Sequence, residues 1–510
     1  MRREAGLLLH PTSLPGPYGI GDFGQEASRF LDWAKAAGQS LWQVLPLGPI
    51  AYANSPYASV SAYAGNPLLI PLDRLRDDGL LPKDAPAEVP SFPVDHVAYD
   101  RVIPWKESVL RASWSHALAR GPGWLRTDFD RFRSAAEQRD WLPDWTLYIA
   151  LKRAHRGSGW TEWEAPLRRR EPSALAQAAS THRDEIDYQA YLQYLFFRYW
   201  EEVRRAARER GIAVVGDMPI YVTMDSADVW ASPELFQLDD ELRPNDVSGV
   251  PPDYFSEHGQ RWGSPLYRWD RMEADGFQWW IRRIRAELRK VDLLRIDHFR
   301  AFEAYWAIPA AEKTAVSGRW EPGPGIRIFR ALQAALGDVP LIAEDLGDID
   351  DGVRGLLAET GLPGMRVLQF GLADPASTHH PRHHVENAVV YTGTHDNDTA
   401  RGWFESLGEP ERGAVLRSLG SEGGGRGGGD ARGGRRGGEI EWDMIRAAYE
   451  SRAARAIVPV QDVLGLGSEG RMNTPSKAEG NWEFRVAPGA MTRDRAVRLR
   501  ALAEASGRLD

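Results

Sequence analysis

Eight short apolar runs recur along the chain, separated by helical patterns, and all but one lead into an acid, an amide or a histidine. They are Ala5–His10, Ser40–Pro46, Ile212–Asp217, Val291–Asp297, Pro340–Asp345, Met365–Phe370, Ala388–Thr394 and Ala456–Asp462. Near-continuous apolar runs of this length read as strands buried on both faces. Between the first two, Ala27, Phe30, Leu31 and Ala34 fall at helical spacing and Gly38 supplies a left-handed stop, which makes a βαβ unit. Eight strands alternating with helices are the count for an α/β chain folded as a (β/α)₈ TIM barrel. An open doubly wound sheet is the main competitor. Its phosphate-binding glycine fingerprint is absent from the first βα turn, so the barrel is the expectation.

The repeat is interrupted. From about residue 71 to 181 the sequence shows helical segments, proline-containing loops and tryptophan-rich pieces, a pattern that predicts a helical insertion. An amphipathic stretch, Asp184 to Arg210, then stops at Gly211 and the strand pattern resumes. Residues 421–439 alternate glycine runs with arginine. Glycine-rich sequence loses too much backbone entropy to fold alone, so this tract is expected to be a mobile surface loop.

A net charge of -9 over 510 residues is mild and argues against a nucleic-acid partner, although an arginine–glycine tract by itself also suits RNA. There is no cysteine, which excludes disulfides, thiolate metal sites and cysteine nucleophiles and suits a reducing compartment. The apolar run Gly6–Leu9 is too short for a signal peptide or a membrane span. A cytoplasmic protein with no membrane partner is expected. Of the aromatic residues, Tyr52, Tyr57, Tyr254, Phe255 and Trp262 sit in polar, glycine- and proline-rich surroundings where a core is not expected. Flat apolar faces among hydrogen-bonding groups are what a sugar surface requires.

In a barrel of this kind the active site forms at the carboxyl ends of the strands. The residues found there are His10, Asp217, Asp297, Glu344, Gln369, His395 with Asp396, and Gln461. Arg295 and Asp297 lie two apart, so on a strand their side chains share one face, and the cation favours an ionised carboxylate. Glu344, beside Asp345 and facing other acids, is expected to hold its proton. Several carboxylates at one mouth suit metal-assisted chemistry or retaining glycosyl transfer, in which one carboxylate attacks the anomeric carbon and a carboxylic acid protonates the departing oxygen. The aromatic loops favour the sugar.

Arg295-Ile296-Asp297-His298, Ala343-Glu344-Asp345 and Thr394-His395-Asp396-Asn397 resemble the motifs of the α-amylase clan. Gly216-Asp217-Met218-Pro219-Ile220 stands where that clan has its first barrel motif, without the asparagine and histidine that often end it. Segments from His10–Gly19 through Trp42–Pro49, Asn54–Tyr57, Gly249–Ser256 and Gly259–Gly263 to Arg471–Asn473 and Gly480–Trp482 resemble, nearly end to end, the amylomaltases, a family of 4-α-glucanotransferases. The resemblance implies a single interrupted barrel over residues 1–510 with no separate C-terminal β domain. It implies Asp297 as nucleophile, Glu344 as general acid and then base, and Asp396 gripping the sugar hydroxyls, with no metal and no cofactor. By the same likeness Arg295, His298, His395, Asn473, Ser55, Tyr57 and Asp217 would surround the donor sugar. A loop or helical insertion at about 225–285, carrying Tyr254, Phe255, Gln260 and Trp262, would lie over the cleft. The implied substrates are maltooligosaccharides, amylose or glycogen-type glucans. The segment Gly371–Asp374 after the sixth strand departs from the family pattern, which leaves Asp374 without an assigned role.

Overall fold

The computed structural model describes residues 2–252, 256–420, 439–475, 477 and 479–509. Tyr254, Phe255 and the glycine–arginine tract up to residue 438 lie outside the described residues. The eight expected strands form at β1 Glu4–Leu8, β2 Leu41–Gln43, β3 Ala213–Met218, β6 Leu293–Ile296, β9 Leu341–Ala343, β10 Gly364–Val367, β11 Ala388–Tyr391 and β12 Arg455–Pro459. They make one parallel sheet in the order β10-β11-β12-β1-β2-β3-β6-β9. The two end strands meet where the Ala343 N–H donates to the Pro363 carbonyl at 3.0 Å, so the sheet curls into a nearly closed barrel.

Leu7, Val214, Leu294, Ile296, Ile342, Val390 and Ile457 are completely buried, as strands covered on both faces require. Each such side chain contributes roughly 1.5–3 kcal/mol. Crowding around the barrel also selects small residues: a Cβ on Gly6 would meet Leu41 Cβ at 2.5 Å. The first helix, Gln25–Ala36, buries Ala27, Phe30, Leu31 and Ala34 and gives way to Gly38 at a φ of 73°. The helix Arg183–Glu209 is likewise followed by a left-handed Gly211. Between β2 and β3 the described chain is helical, including Tyr99–Arg120 and Leu142–Ala154, with an isolated bridge from His96 to Phe484.

The stretch 225–285 departs from the loop-and-helix expectation. It contributes β4 Asp246–Val250 and β5 Gln260–Pro265, which join β7 Ala304–Pro309 and β8 Arg319–Pro322 in an antiparallel sheet ordered β5-β4-β7-β8. Two pairs of sequence-adjacent strands, β4 with β5 and β7 with β8, are joined through the more distant β4–β7 pairing. Their stabilisation comes from cross-strand contacts such as Trp306 against Trp320, with centroids 5.1 Å apart, and from a small core of Val247, Ile308 and Ala315. Beyond β12, the helix Arg493–Ala505 returns to the first helix, where Trp33 Nε1 donates to the Thr492 carbonyl at 2.9 Å. No helix among the described residues is long and apolar enough to cross a membrane.

Candidate active site

The carboxyl end of the barrel carries a hydrogen-bonded group of side chains centred on Arg295, the third residue of β6. Arg295 Nη1 donates to both oxygens of Asp217 at 2.6 and 2.7 Å and lies 3.0 Å from Asp297 Oδ1. Strand pleating places Arg295 and Asp297 on one face, as their spacing predicts, and the β3–β6 register sets Asp217 directly opposite Arg295. The Tyr57 hydroxyl donates to Asp217 Oδ2 at 2.7 Å, and its ring stacks on His395 at 4.9 Å and 15°.

The loop after β11 holds Asp396. Asn397 Oδ1 accepts from the backbone N–H and the hydroxyl of Thr394, closing a tight turn that projects Asp396 into the mouth. Asn473 Nδ2 donates to Asp396 Oδ1 at 2.6 Å, Arg471 Nη2 donates to the Asp396 carbonyl at 2.6 Å, and the Asn473 N–H donates to the His395 carbonyl at 3.1 Å.

Glu344 directly follows β9. Its two oxygens accept backbone N–H groups from His298 at 2.6 Å and Leu346 at 2.9 Å. His298 adopts a left-handed conformation, φ 57°, which turns its N–H towards Glu344. Such a conformation in a residue other than glycine costs about 1–3 kcal/mol, a strain the barrel must hold. Trp262 stands edge-on to the His298 ring at 4.8 Å and is 41 % exposed.

Electrostatics separate the acids. Burial pushes the Asp297 carboxyl up to about 6, against the pull of Arg295 and with a further push from Asp217 and Asp396. Burial raises Glu344 more, to about 8, opposed by Arg295 and the two backbone N–H groups and reinforced by Asp297. The order is the one expected, one acid ionised and its partner protonated near neutrality, but the causes differ. Arg295 does not bring Asp297 below the usual carboxylate range, because it is shared with Asp217 and burial outweighs it. Asp345 does not raise Glu344, because its carboxylate turns away to the Met365 N–H and Arg366. Burial holds His298 and His10 down to about 3, so both imidazoles are neutral in the working range.

Two expected sugar contacts are occupied by the protein itself. The Asp217 side chain is fully buried and committed to Arg295 and Tyr57, and Arg295 is itself buried. Ser55 accepts from the Tyr57 N–H at 3.2 Å and steadies that loop, while Gln260 accepts from Trp262 Nε1 at 3.1 Å. His10, Gln369 and Gln461 are buried beneath the mouth, and Gln369 donates to the Asp398 carbonyl at 2.8 Å. Arg471, Trp482 and Met365 were not singled out from the sequence. Trp482 packs against Tyr57 at 5.6 Å and His395 at 5.9 Å, and Met365 Sδ accepts from Arg295 Nε at 3.3 Å. Arg471 and Trp482 lie in motif segments, which was the available signal; Met365 is hidden in an ordinary strand. Among the described residues no group of three or more His, Asp or Glu side chains is arranged to hold a metal ion.

Residues 9–492 match the family model described as 4-alpha-glucanotransferase, glycoside hydrolase family 77. The chain belongs to that family. It is 48 % identical over 512 residues to the 4-alpha-glucanotransferase of Thermus thermophilus, covering 99 % of each chain, and 47 % identical over 494 residues to that of Synechocystis sp., covering 96 % and 94 %. The solved structure of the amylomaltase from Streptococcus agalactiae in complex with acarbose superposes with a TM-score of 0.93 at 35 % identity, covering 100 % of both chains. The nearly closed parallel barrel is thus an amylomaltase barrel, and the activity is that of a 4-α-glucanotransferase.

Proposed function

We propose that Asp297 is the nucleophile of a retaining double displacement, that Glu344 is its general acid and base, and that Asp396 holds the hydroxyls of the sugar undergoing reaction. The observation that carries this reading is the placement of two carboxyls at the mouth, a partly exposed Asp297 3.0 Å from Arg295 Nη1 and a buried Glu344 held by the His298 and Leu346 N–H groups, an arrangement that favours an ionised Asp297 beside a protonated Glu344. Asp297 attacks the anomeric carbon as the Glu344 proton passes to the departing 4-oxygen; Glu344, now ionised, takes the proton from the incoming 4-hydroxyl as that oxygen displaces Asp297. His298, His395, Tyr57, Asn473 and Trp262 border the donor sugar. The roles expected for Tyr254 and Phe255 belong to the same reading. Maltooligosaccharides, amylose and glycogen-type chains are the substrates, with no nucleic acid, membrane or metal required. The absence of cysteine supports a cytoplasmic setting. Residues 1–510 serve as one catalytic unit, with about 71–181 as a helical insertion and about 225–285 flanking the cleft.

Incubation with maltotriose alone is expected to give a ladder of longer oligosaccharides and free glucose with no net gain in reducing ends, and chelator leaves the rate unchanged. Reducing ends rising in step with substrate loss would make the enzyme a hydrolase. Asn473→Ala removes a hydrogen bond to a charged acceptor, normally worth about 1.5–3 kcal/mol, and is expected to lower kcat/KM on maltotriose about 10- to 100-fold. An unchanged kcat/KM would remove Asp396 from the sugar site.

A further inference from the structure

The barrel sheet begins at β10 and ends at β9, so these two strands face each other across its seam. The Ala343 N–H crosses the seam to the Pro363 carbonyl. In a regular parallel ladder the following link would run from the Met365 N–H back to the Ala343 carbonyl. Here the Met365 N–H is taken by a side chain: it donates to Asp345 Oδ1 at 2.6 Å, while Arg366 Nη1 donates to Asp345 Oδ2 at 3.1 Å. The Asp345 side chain is 6 % exposed, so the carboxylate is a buried wedge in the seam. The neighbouring strand is fitted to it. A Cβ on Gly364 would lie 2.5 Å from Asp345 Oδ2, and Gly364 leaves that space to the carboxylate.

Both ends of this wedge reach the reacting groups. Asp345 is covalently next to Glu344. Met365, whose backbone it holds, presents its thioether to Arg295 Nε at 3.3 Å, and Arg295 grips Asp217 and Asp297. A thioether is a soft, weak acceptor, but it takes the Nε–H of this buried guanidinium, whose carboxylate partners sit on Nη1. We propose that Asp345 is a positioning residue that sets both acids of the reaction, fixing Glu344 on one side of the seam and, through Met365 and Arg295, Asp297 on the other. It rests on the roles proposed above for Asp297 and Glu344. It assigns Asp345 no contact with the sugar.

The test compares Asp345→Ala, Asp345→Asn and Gly364→Ala, with Glu344→Gln made alongside. Asp345→Ala withdraws the acceptor from the Met365 N–H, and Gly364→Ala displaces the carboxylate while leaving Asp345 in place. Both are expected to lower kcat on maltotriose about 10- to 100-fold, as small misplacements of reacting groups do, with KM changing less than about threefold. The alkaline limb of the pH–rate profile should move to lower pH in both, because water admitted at the seam stabilises the Glu344 carboxylate. The charges facing Glu344 are Arg295 and Asp297, with the His298 and Leu346 N–H groups; Asp345 faces Arg366. Asp345→Asn keeps an acceptor for the Met365 N–H and should therefore retain most of the rate and the parent profile. Lowered melting temperatures with kcat and pH profile unchanged would reduce Asp345 to a structural seam residue and overturn the proposal. A profile shifted equally in Asp345→Asn and Asp345→Ala would also overturn it, since charge rather than placement would then be acting. Activity surviving in Glu344→Gln would instead overturn the assignment of Glu344 itself.

Discussion

Asp297→Asn is expected to lower transfer between maltooligosaccharides on the order of 10⁴-fold or more, the scale seen when a nucleophile is removed from a covalent mechanism. Oligosaccharide should still bind, because Trp262, His395 and Asn473 remain, so the loss falls in kcat. The fold should not suffer. Arg295 keeps both oxygens of Asp217, and the group removed is one whose ionised form burial disfavours. Melting temperature is therefore expected to hold or rise slightly at neutral pH. Kinetics on maltotriose together with a thermal melt check both parts, and a rate within tenfold of the parent would remove Asp297 from the nucleophile's role.

Glu344→Gln is expected to cost about 10²- to 10⁴-fold on maltotriose, the usual contribution of general acid–base catalysis. The loss should depend on the leaving group. A maltosyl fluoride needs no proton to depart, so its first step is largely spared, and azide, which needs no general base, should rescue turnover as a glycosyl azide. The parent enzyme should show a bell-shaped kcat/KM profile. Activity requires ionised Asp297 and is lost as pH falls through about 6; it requires protonated Glu344 and is lost as pH rises through about 8. Glu344→Gln should erase the alkaline limb and keep the acid one. An alkaline limb that persists would assign the proton to another group.

The barrel was legible because its strands are buried on both faces and leave apolar runs such as Ala388–Tyr391 in the sequence. The antiparallel strands were not. Arg319–Pro322 and Gln260–Pro265 are short, are not buried on both faces and carry no apolar run, and they owe their conformation to pairing with the neighbouring strands β7 and β4. In the site, residues closing strands were readable from position alone, as Asp297 and Glu344 were. Asn473 comes from beyond β12 and was found only through family likeness, because no local pattern encodes its reach to Asp396. Side-chain direction was the hardest feature to read. Asp345 and Asp217 look like further acids of the mouth, yet one turns into the β9–β10 seam and the other is locked under Arg295 and Tyr57.

A covalent glycosyl-enzyme on Asp297 can be trapped. Glu344→Gln treated with maltosyl fluoride, without acceptor, should accumulate an adduct because deglycosylation lacks its base. Acid quench and peptide mass spectrometry should place one maltosyl ester on the peptide that contains Asp297. An ester on Asp217 or Asp396, or fluoride release with no adduct at any time point, would contradict the account.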